Sequence, residues 1–363
     1  MKRFCQLIIT FGSLFFVLAA CSSSDSGLPP FQRFAYVTNG ISNTVSQYTI
    51  GADGSLTPMS TPTVSTGVAP RSITVTPSGK YAYVANQGDG NISQYAIVAD
   101  GSLAPMSTPT VSAGTVWETF SITVDPLGKY AYVAHATDGN VYQYTIGANG
   151  SLTPMSAPSV SAGISPTSII IEPLGKYAYV GNYGGDISQF TVGADGGLAP
   201  MSAPTVTAGL SPVSMAVDPN GRYVYAANSL SDDVSQYTIG ANGSLTSMAT
   251  ATVAAGVYPR AITVDPSGKY VYVANDNSGN VSQFTIGADG TLTPMSAPTV
   301  TAGTSPFAIT IDPSGKYAYV ANKGSNNVSL YTIDINGNLN PMSSTTVAAG
   351  ASPSSIAIVG RYQ

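Results

Sequence analysis

Apolar and polar positions along this chain fall into short blocks that repeat. Within residues 70–114 the first block, Ser72-Ile73-Thr74-Val75, is closed by Pro77-Ser78-Gly79, a turn whose glycine can adopt positive φ. The second, Tyr81-Ala82-Tyr83-Val84-Ala85, has no polar face, which predicts a strand buried on both sides. The third, Asn91-Ile92-Ser93-Gln94-Tyr95-Ala96-Ile97, is more polar and runs into Asp100-Gly101, a hairpin-turn pair. The fourth covers 103–112 and contains Pro105 and Pro109. Proline cannot donate to a ladder, so this segment predicts a strand at the sheet edge, blunted against further pairing. Each repeat therefore reads as four antiparallel strands, ordered from inner to outer.

The same blocks recur from Phe34, Tyr81, Tyr130, Tyr177, Tyr223, Tyr270 and Tyr317, at intervals of 46 to 49 residues. That period suits a four-stranded propeller blade and is about twice that of a leucine-rich solenoid. Seven repeats fill residues 34–363 and predict an all-β, seven-bladed β-propeller. The phase of the repeat shows how the ring closes. The first repeat opens on a second strand, Phe34-Ala35-Tyr36-Val37, and its missing first strand is Ser355-Ile356-Ala357-Ile358-Val359. The C-terminal strand is thus expected to complete the N-terminal blade, leaving none of the free ends that an open β-solenoid, the alternative architecture, must cap.

Tyr36-Val37-Thr38-Asn39, Tyr83-Val84-Ala85-Asn86 and their copies resemble the YVTN type of β-propeller repeat, with the Asn replaced once, by His135. The resemblance covers residues 34–363. Proteins of this kind include microbial surface-layer repeats and cell-envelope lipoproteins. The wider superfamily it resembles holds the seven-bladed, 6-phosphogluconolactonase-like lactonases and the related muconate cycloisomerases. The resemblance implies the fold, and it implies lactone hydrolysis or cycloisomerisation only as far as a shared fold carries an activity. The lactonase-like pattern places a His directly after Pro-Arg at the start of an inner strand. Here Pro70-Arg71 and Pro259-Arg260 are followed by Ser72 and Ala261, so the base which the resemblance implies is missing.

Residues 1–20 read as a lipoprotein signal peptide. Lys2 and Arg3 precede an apolar stretch over 7–18 that is shorter than the ~20 residues of a transmembrane helix. It ends in Leu18-Ala19-Ala20-Cys21, which looks like a lipobox, with Cys21 as the lipid acceptor. Cys5 leaves with the signal, so acylation of Cys21 accounts for the one remaining thiol. Residues 21–33 form a Ser-rich tether. Resemblance to lipoproteins implies export, anchoring of Cys21 in the cell-envelope membrane and, from Ser22, the outer membrane in a cell that has one.

Composition narrows the function. Charged residues are 9% of the chain, the formal net charge is −5 and no Lys/Arg run exists, which argues against a nucleic-acid partner. Apolar residues at 43% exclude a disordered chain. No nucleophile elbow, phosphate loop, paired metal-binding histidines or Cys cluster occurs, so no cofactor or metal site is read. Asp-Gly pairs such as Asp53-Gly54 lack the alternating ligands of a calcium loop.

Polar residues present in most repeats read as structural: the acid before Pro (Asp125, Glu172, Asp218, Asp265, Asp312) as a holder of its own turn, the recurring Lys as solvated. Information sits where repeats differ, in loops that open on one face around the channel. The departures are Arg71, Arg260, Tyr183, Tyr258, Phe307 and Lys323, the longer loop Thr115-Val116-Trp117-Glu118-Thr119-Phe120 with the only Trp, and His135, the only His. Ligand-binding candidates are Arg71, Trp117, Glu118, His135, Tyr258 and Arg260. Arg can hold a carboxylate bidentately, Trp can stack, and Glu with His can exchange protons. The competing reading is drift among duplicated repeats, with His135 capping a turn as Asn does elsewhere. The function expected from these features is a non-catalytic binding or scaffold module at the cell envelope, with a small molecule, glycan or envelope protein as partner. The alternative is a lactonase- or cycloisomerase-like enzyme acting on a sugar lactone or related carboxylate.

Overall fold

A computed structural model describes residues 31–115 and 119–362. The segment read as a signal peptide, Cys21 and most of the segment read as a tether lie outside the described residues. The described chain forms seven four-stranded antiparallel sheets arranged as the blades of one ring. Blade 2 shows the pattern: Pro70–Val75, Tyr81–Asn86, Asn91–Ile97 and Leu103–Ser112 lie side by side in chain order. The innermost strands of successive blades touch one another around the channel.

Blade 1 is built from both halves of the sequence. Its inner strand is Pro353–Tyr362, followed by Phe31–Asn39, Thr44–Ile50 and Leu56–Ser65. Val37 pairs with Ile356, Ala35 with Ile358 and Phe31 with Tyr362, which closes the ring as the repeat phase predicts. The strand starts three residues ahead of the repeat, at Phe31, because Gly360–Tyr362 extends the ladder beneath it.

The core is seven layers between blades rather than one centre. Tyr83, Ala85 and Ile92 of blade 2 pack against Ile122, Ala131, Val133 and Tyr144 of blade 3, and the other seams repeat this arrangement. That is why the second strand has no polar face: Ala82 to Ala85 are fully buried, each side chain facing one neighbouring sheet or the other. Burying a large apolar side chain contributes about 1.5–3 kcal/mol, and each seam collects several.

Two recurring hydrogen bonds, one in every seam and one in six of the seven, help to stitch the blades together. Tyr83 Oη donates to Gly150 O of the next blade at 2.6 Å, and all seven blades have this tyrosine bond. Gln94 Oε1 accepts from Leu152 N at 2.7 Å while its Nε2 donates to Thr108 O at 2.9 Å. Six blades carry this glutamine; in blade 7 the position is Leu330. The glycine of the outer hairpin turn is needed twice over. Gly150 has φ +82°, and a Cβ there would lie 2.3 Å from the Tyr81 ring of the preceding blade.

The face of the ring at which the inner strands end is made of turns. Asp125 Oδ1 accepts from Lys129 N at 2.6 Å and Tyr130 N at 2.7 Å, and Oδ2 from Leu127 N at 3.0 Å. The acid before Pro therefore holds its own turn, and Lys80, Lys129, Lys176, Lys269 and Lys316 point to solvent beside it. Asp312 has a second partner, Arg33 Nη1 at 2.6 Å.

Candidate functional site at the channel mouth

The inner strands bring their first residues together at one end of the channel. The position after the strand's opening Pro is Ser354, Arg71, Thr167, Val213, Arg260 and Phe307 in blades 1, 2, 4, 5, 6 and 7. Where this residue is small and hydroxylated it bonds the next blade: Ser354 Oγ donates to Pro70 O and Thr167 Oγ1 to Pro212 O, both at 2.7 Å. One residue deeper runs a belt of serines. Ser355, Ser72, Ser121 and Ser214 accept from the backbone N–H of Ile73, Ile122, Ile169 and Ile262 in the following blade, at 3.2–3.5 Å. The wall is thus held by bonds between blades, and the large residues project into the space it encloses.

That space is a cavity of about 470 Å³, lined by Arg71, Tyr183, Tyr258, Arg260 and Phe307 above the serine belt. Phe307 is buried and its ring is the meeting point of three cations. Arg71 Cζ lies 4.5 Å from the ring centroid, Arg260 Cζ 4.6 Å and Lys323 Nζ 4.9 Å. Cations over an aromatic face gain roughly 0.5–2 kcal/mol each, yet they also repel one another. Burial and this repulsion both lower the pKa values of the cations. Burial, then the charge of Arg260, bring Arg71 down to about 9, so it still carries its charge at neutral pH. Burial also lowers Arg260, while burial followed by Arg71 and Arg260 lowers Lys323. Asp276 is the carboxylate whose field opposes the shift in all three.

Backbone strain is concentrated here too. Tyr258 has φ +59°, the left-handed region, where the equivalent residues are Ala69, Ser165, Ser211, Ser305 and Ser352. Holding a bulky residue there costs on the order of 1–3 kcal/mol. Asp232 Oδ1 accepts from Tyr258 N at 2.7 Å and fixes it, and the ring centroid lies 5.8 Å from Arg260 Cζ.

Among the sequence candidates, Arg71, Tyr258 and Arg260 come together in this cavity, joined by Tyr183, Phe307 and, through the Phe307 ring, Lys323. Trp117 and Glu118 lie outside the described residues. His135 is placed elsewhere: it is fully buried and absent from the cavity lining. Its Nδ1 lies 2.9 Å from Asp138 Oδ1, and its Nε2 lies 3.1 Å from Thr115 N. In other blades this position is an Asn that donates to a serine two residues into the third strand, as Asn86 does to Ser93 at 2.8 Å. In blade 3 that serine is Tyr142, which donates to Asp138 Oδ2 at 2.7 Å. His135 and Tyr142 thus depart together, a paired signal within one blade that marks a rebuilt turn. Asp276 and the serine belt escaped sequence reasoning, the first because it directly follows a recurring Asn in a variable loop, the second because Ser recurs and reads as structural.

Comparison with known proteins places these features in context. The family model for the lactonase, seven-bladed β-propeller, matches residues 22–120, 118–214, 199–303 and 288–358. A search of curated proteins finds no match to the sequence. Among solved structures, a Bacteroides fragilis protein provisionally assigned as a 6-phosphogluconolactonase is 22% identical, with a TM-score of 0.79 over 93% of this chain and 99% of its own. The periplasmic gluconolactonase of Pseudomonas aeruginosa is 21% identical, with a TM-score of 0.78 over 91% of this chain and 99% of its own. A Lactobacillus plantarum protein is 19% identical, with a TM-score of 0.76 over 91% and 100%.

Proposed function

This chain belongs to the lactonase family of seven-bladed β-propellers, and from that premise we propose that it opens a lactone ring at the channel mouth. The observation that carries the reading is the convergence on Phe307 of Arg71 and Arg260 from within a hydroxyl-lined cavity and of Lys323 from its rim. Water attack on a lactone carbonyl turns its oxygen into an oxyanion; breaking the ring C–O bond then leaves a hydroxy-carboxylate. Both the oxyanion and the product carboxylate are anions, and fixed guanidinium donors in a partly dry cavity stabilise them. Asp276, whose N–H donates to Tyr258 O at 2.9 Å and whose field reaches all three cations, is the carboxylate proposed to take the proton of the attacking water and return it to the departing ring oxygen, in place of the His which the lactonase-like pattern has where this chain has Ser72 and Ala261. Two of the structural neighbours named above are described as acting on sugar lactones, and the serine and threonine hydroxyls at the mouth suit such a substrate.

The test is hydrolysis of glucono-δ-lactone and 6-phosphogluconolactone followed by alkali consumption at constant pH. Arg260→Gln should lower kcat/KM by about 10²-fold or more, the loss expected for an oxyanion donor. The missing His favours a second reading, a binding module without turnover. Stoichiometric gluconate binding with hydrolysis no faster than the spontaneous rate decides for that reading.

We also infer that the propeller is held at the cell envelope by lipid on Cys21, from the Leu18-Ala19-Ala20-Cys21 sequence. Growth with a labelled fatty acid should tag the wild type and leave Cys21→Ala untagged. A mutant labelled equally sinks the anchor.

A further inference from the structure

The mouth face carries an apolar feature that turnover of a sugar lactone does not use. Among the described residues, seven of the eleven exposed large hydrophobic ones lie on it: Ile41, Val68, Ile164, Tyr183, Leu210, Leu230 and Val257. Five of them form an arc over three consecutive blades, 4 to 6. Ile164 is 77% exposed, Leu210 63% and Val257 51%. Within each blade the two loops are bonded, Leu230 N donating to Leu210 O at 3.2 Å and Tyr183 N to Ser165 O, beside Ile164, at 3.0 Å, and the loops of blades 5 and 6 are joined where Tyr258 N, next to Val257, donates to Asp232 Oδ1 at 2.7 Å. Tyr183 belongs to both the arc and the cavity wall, so the apolar arc runs directly into the cationic mouth. Single exposed aliphatics are ordinary, but a set gathered on three neighbouring blades beside a pocket marks a binding surface.

We propose that this surface takes an amphiphile: its anionic head sits among Arg71, Arg260 and Lys323, and its aliphatic tail lies along Ile164, Leu210, Leu230 and Val257. Charge and apolar area are arranged in the order such a molecule presents them. A second copy of this chain is a poor occupant, because it would bring the same three cations face to face. If the mouth is also the lactonase site proposed above, on which this assignment rests only for its location, the matching substrates are lactones bearing an alkyl chain. Their hydrolysis product, a hydroxy-acid with an aliphatic tail, has this head-and-tail chemistry.

The tether separates a free amphiphile from the anchoring bilayer as the source. Phe31–Asn39 runs from the opposite face to the mouth face, nine residues and roughly 30 Å. The ten residue steps from Cys21 to Phe31 reach at most roughly 33–36 Å when fully extended. A chain anchored at Cys21 would use nearly all of that reach on the height of the ring, with too little left to round its rim. The mouth therefore faces away from the anchoring membrane, and the amphiphile arrives as a free molecule.

Calorimetry on the mature chain carrying Cys21→Ser, with decyl phosphate below its micelle concentration, decanol and inorganic phosphate, tests this. Decyl phosphate should bind at least tenfold more tightly than either of the others. Ile164→Ser with Leu210→Ser should reduce decyl phosphate affinity about tenfold, whereas Leu127→Ser with Leu174→Ser on the opposite face should not. Arg260→Gln should weaken decyl phosphate and inorganic phosphate alike. Equal affinity for inorganic and decyl phosphate overturns the proposal, as does indifference to the Ile164 and Leu210 changes. Capture of phosphatidylglycerol vesicles without monomer binding overturns the free-molecule source. Because equilibrium binding needs no turnover, absence of lactone hydrolysis counts against the catalytic reading alone.

Discussion

The glutamine bridge between blades gives the most direct test of what holds the ring. Consider Gln236→Leu in blade 5, which copies into one seam what blade 7 already has at Leu330. The wild-type side chain accepts from Leu292 N at 2.7 Å, a buried bond, and donates to Thr250 O at 3.0 Å, a part-buried one. Leucine satisfies neither. The carbonyl of Thr250, an exposed residue, recovers a water, so the cost falls mainly on the Leu292 N–H, about 1–3 kcal/mol for a buried orphan donor. The added apolar contact offsets about 1 kcal/mol, so for this fully buried donor, at the top of that range, the net loss is about 2 kcal/mol. For roughly 330 residues unfolding together at ~2.1 cal/mol/K each, the unfolding entropy is ~0.7 kcal/mol/K, so Tm should fall by about 3 °C. Differential scanning calorimetry resolves that. The reciprocal change, Leu330→Gln, gains a hydrogen bond of about 0.5–1.5 kcal/mol but gives up Leu330's packing against Tyr48 and Leu56, and should be neutral to slightly destabilising. An unchanged Tm for Gln236→Leu, or a clear rise for Leu330→Gln, would refute the ranking of these two effects.

Deleting residues 353–363 should destabilise the whole ring cooperatively, because it strips the inner strand from blade 1 and uncovers Phe34, Tyr36 and Val37; trimming 22–30 should leave the melt unchanged, and equal melts for the two truncations refute the closure. Anion binding should weaken as pH rises from 8 to 10, since Arg71 is brought down to about 9 and Lys323 is lowered as well; a flat affinity profile over that range argues against the cation cluster as the anion site. Stability should fall above about pH 10 in urea titrations, because burial raises the phenols of Tyr83, Tyr132 and their counterparts, so the unfolded chain alone releases those protons; below pH 10 these tyrosines should contribute no slope. His135→Asn should leave ligand affinity unchanged while costing stability, because Asn cannot rebuild the contact to Asp138 with Tyr142 in place of serine; a large loss of affinity would bring His135 back into the site.

The strand pattern was fully legible. Segments with no polar face became second strands buried on both sides, proline-bearing ones became outer strands, and the phase of the first repeat foretold which strand closes blade 1. These follow from local rules repeated seven times, so each copy corroborated the others. The site was legible only in part. Arg71, Arg260 and Tyr258 stood out by breaking the repeat, and so did Phe307, although nothing in sequence announced that its ring would gather three cations. That convergence depends on blades 2, 6 and 7 meeting across the channel, which is a property of ring geometry. His135 stood out for the same reason as the arginines but sits in a turn, and its partner change at Tyr142 was the clue to that. The glutamine bridge was hidden by its regularity: a residue found in six blades draws no attention until the seventh, Leu330, is set beside them.

The pairing of Phe31–Asn39 with Pro353–Tyr362 has a consequence for how the molecule is made. A chain leaving the ribosome, or threading through an export channel N-terminus first, presents the second strand of blade 1 at the start and its partner at the end. Blades 2 to 7 contain all four of their strands in local order and can assemble as they emerge. Blade 1 waits, with the edge of Phe31–Asn39 unpaired and its apolar side chains facing an empty place. Such an edge is a template for wrong partners, including the equivalent strand of another nascent chain. Closure is a contact between residues more than three hundred positions apart, the slowest kind to find by diffusion. Folding yield should therefore be set by the last dozen residues, and the folded state of the channel mouth, to which Ser354 and Ser355 contribute, appears only when they arrive.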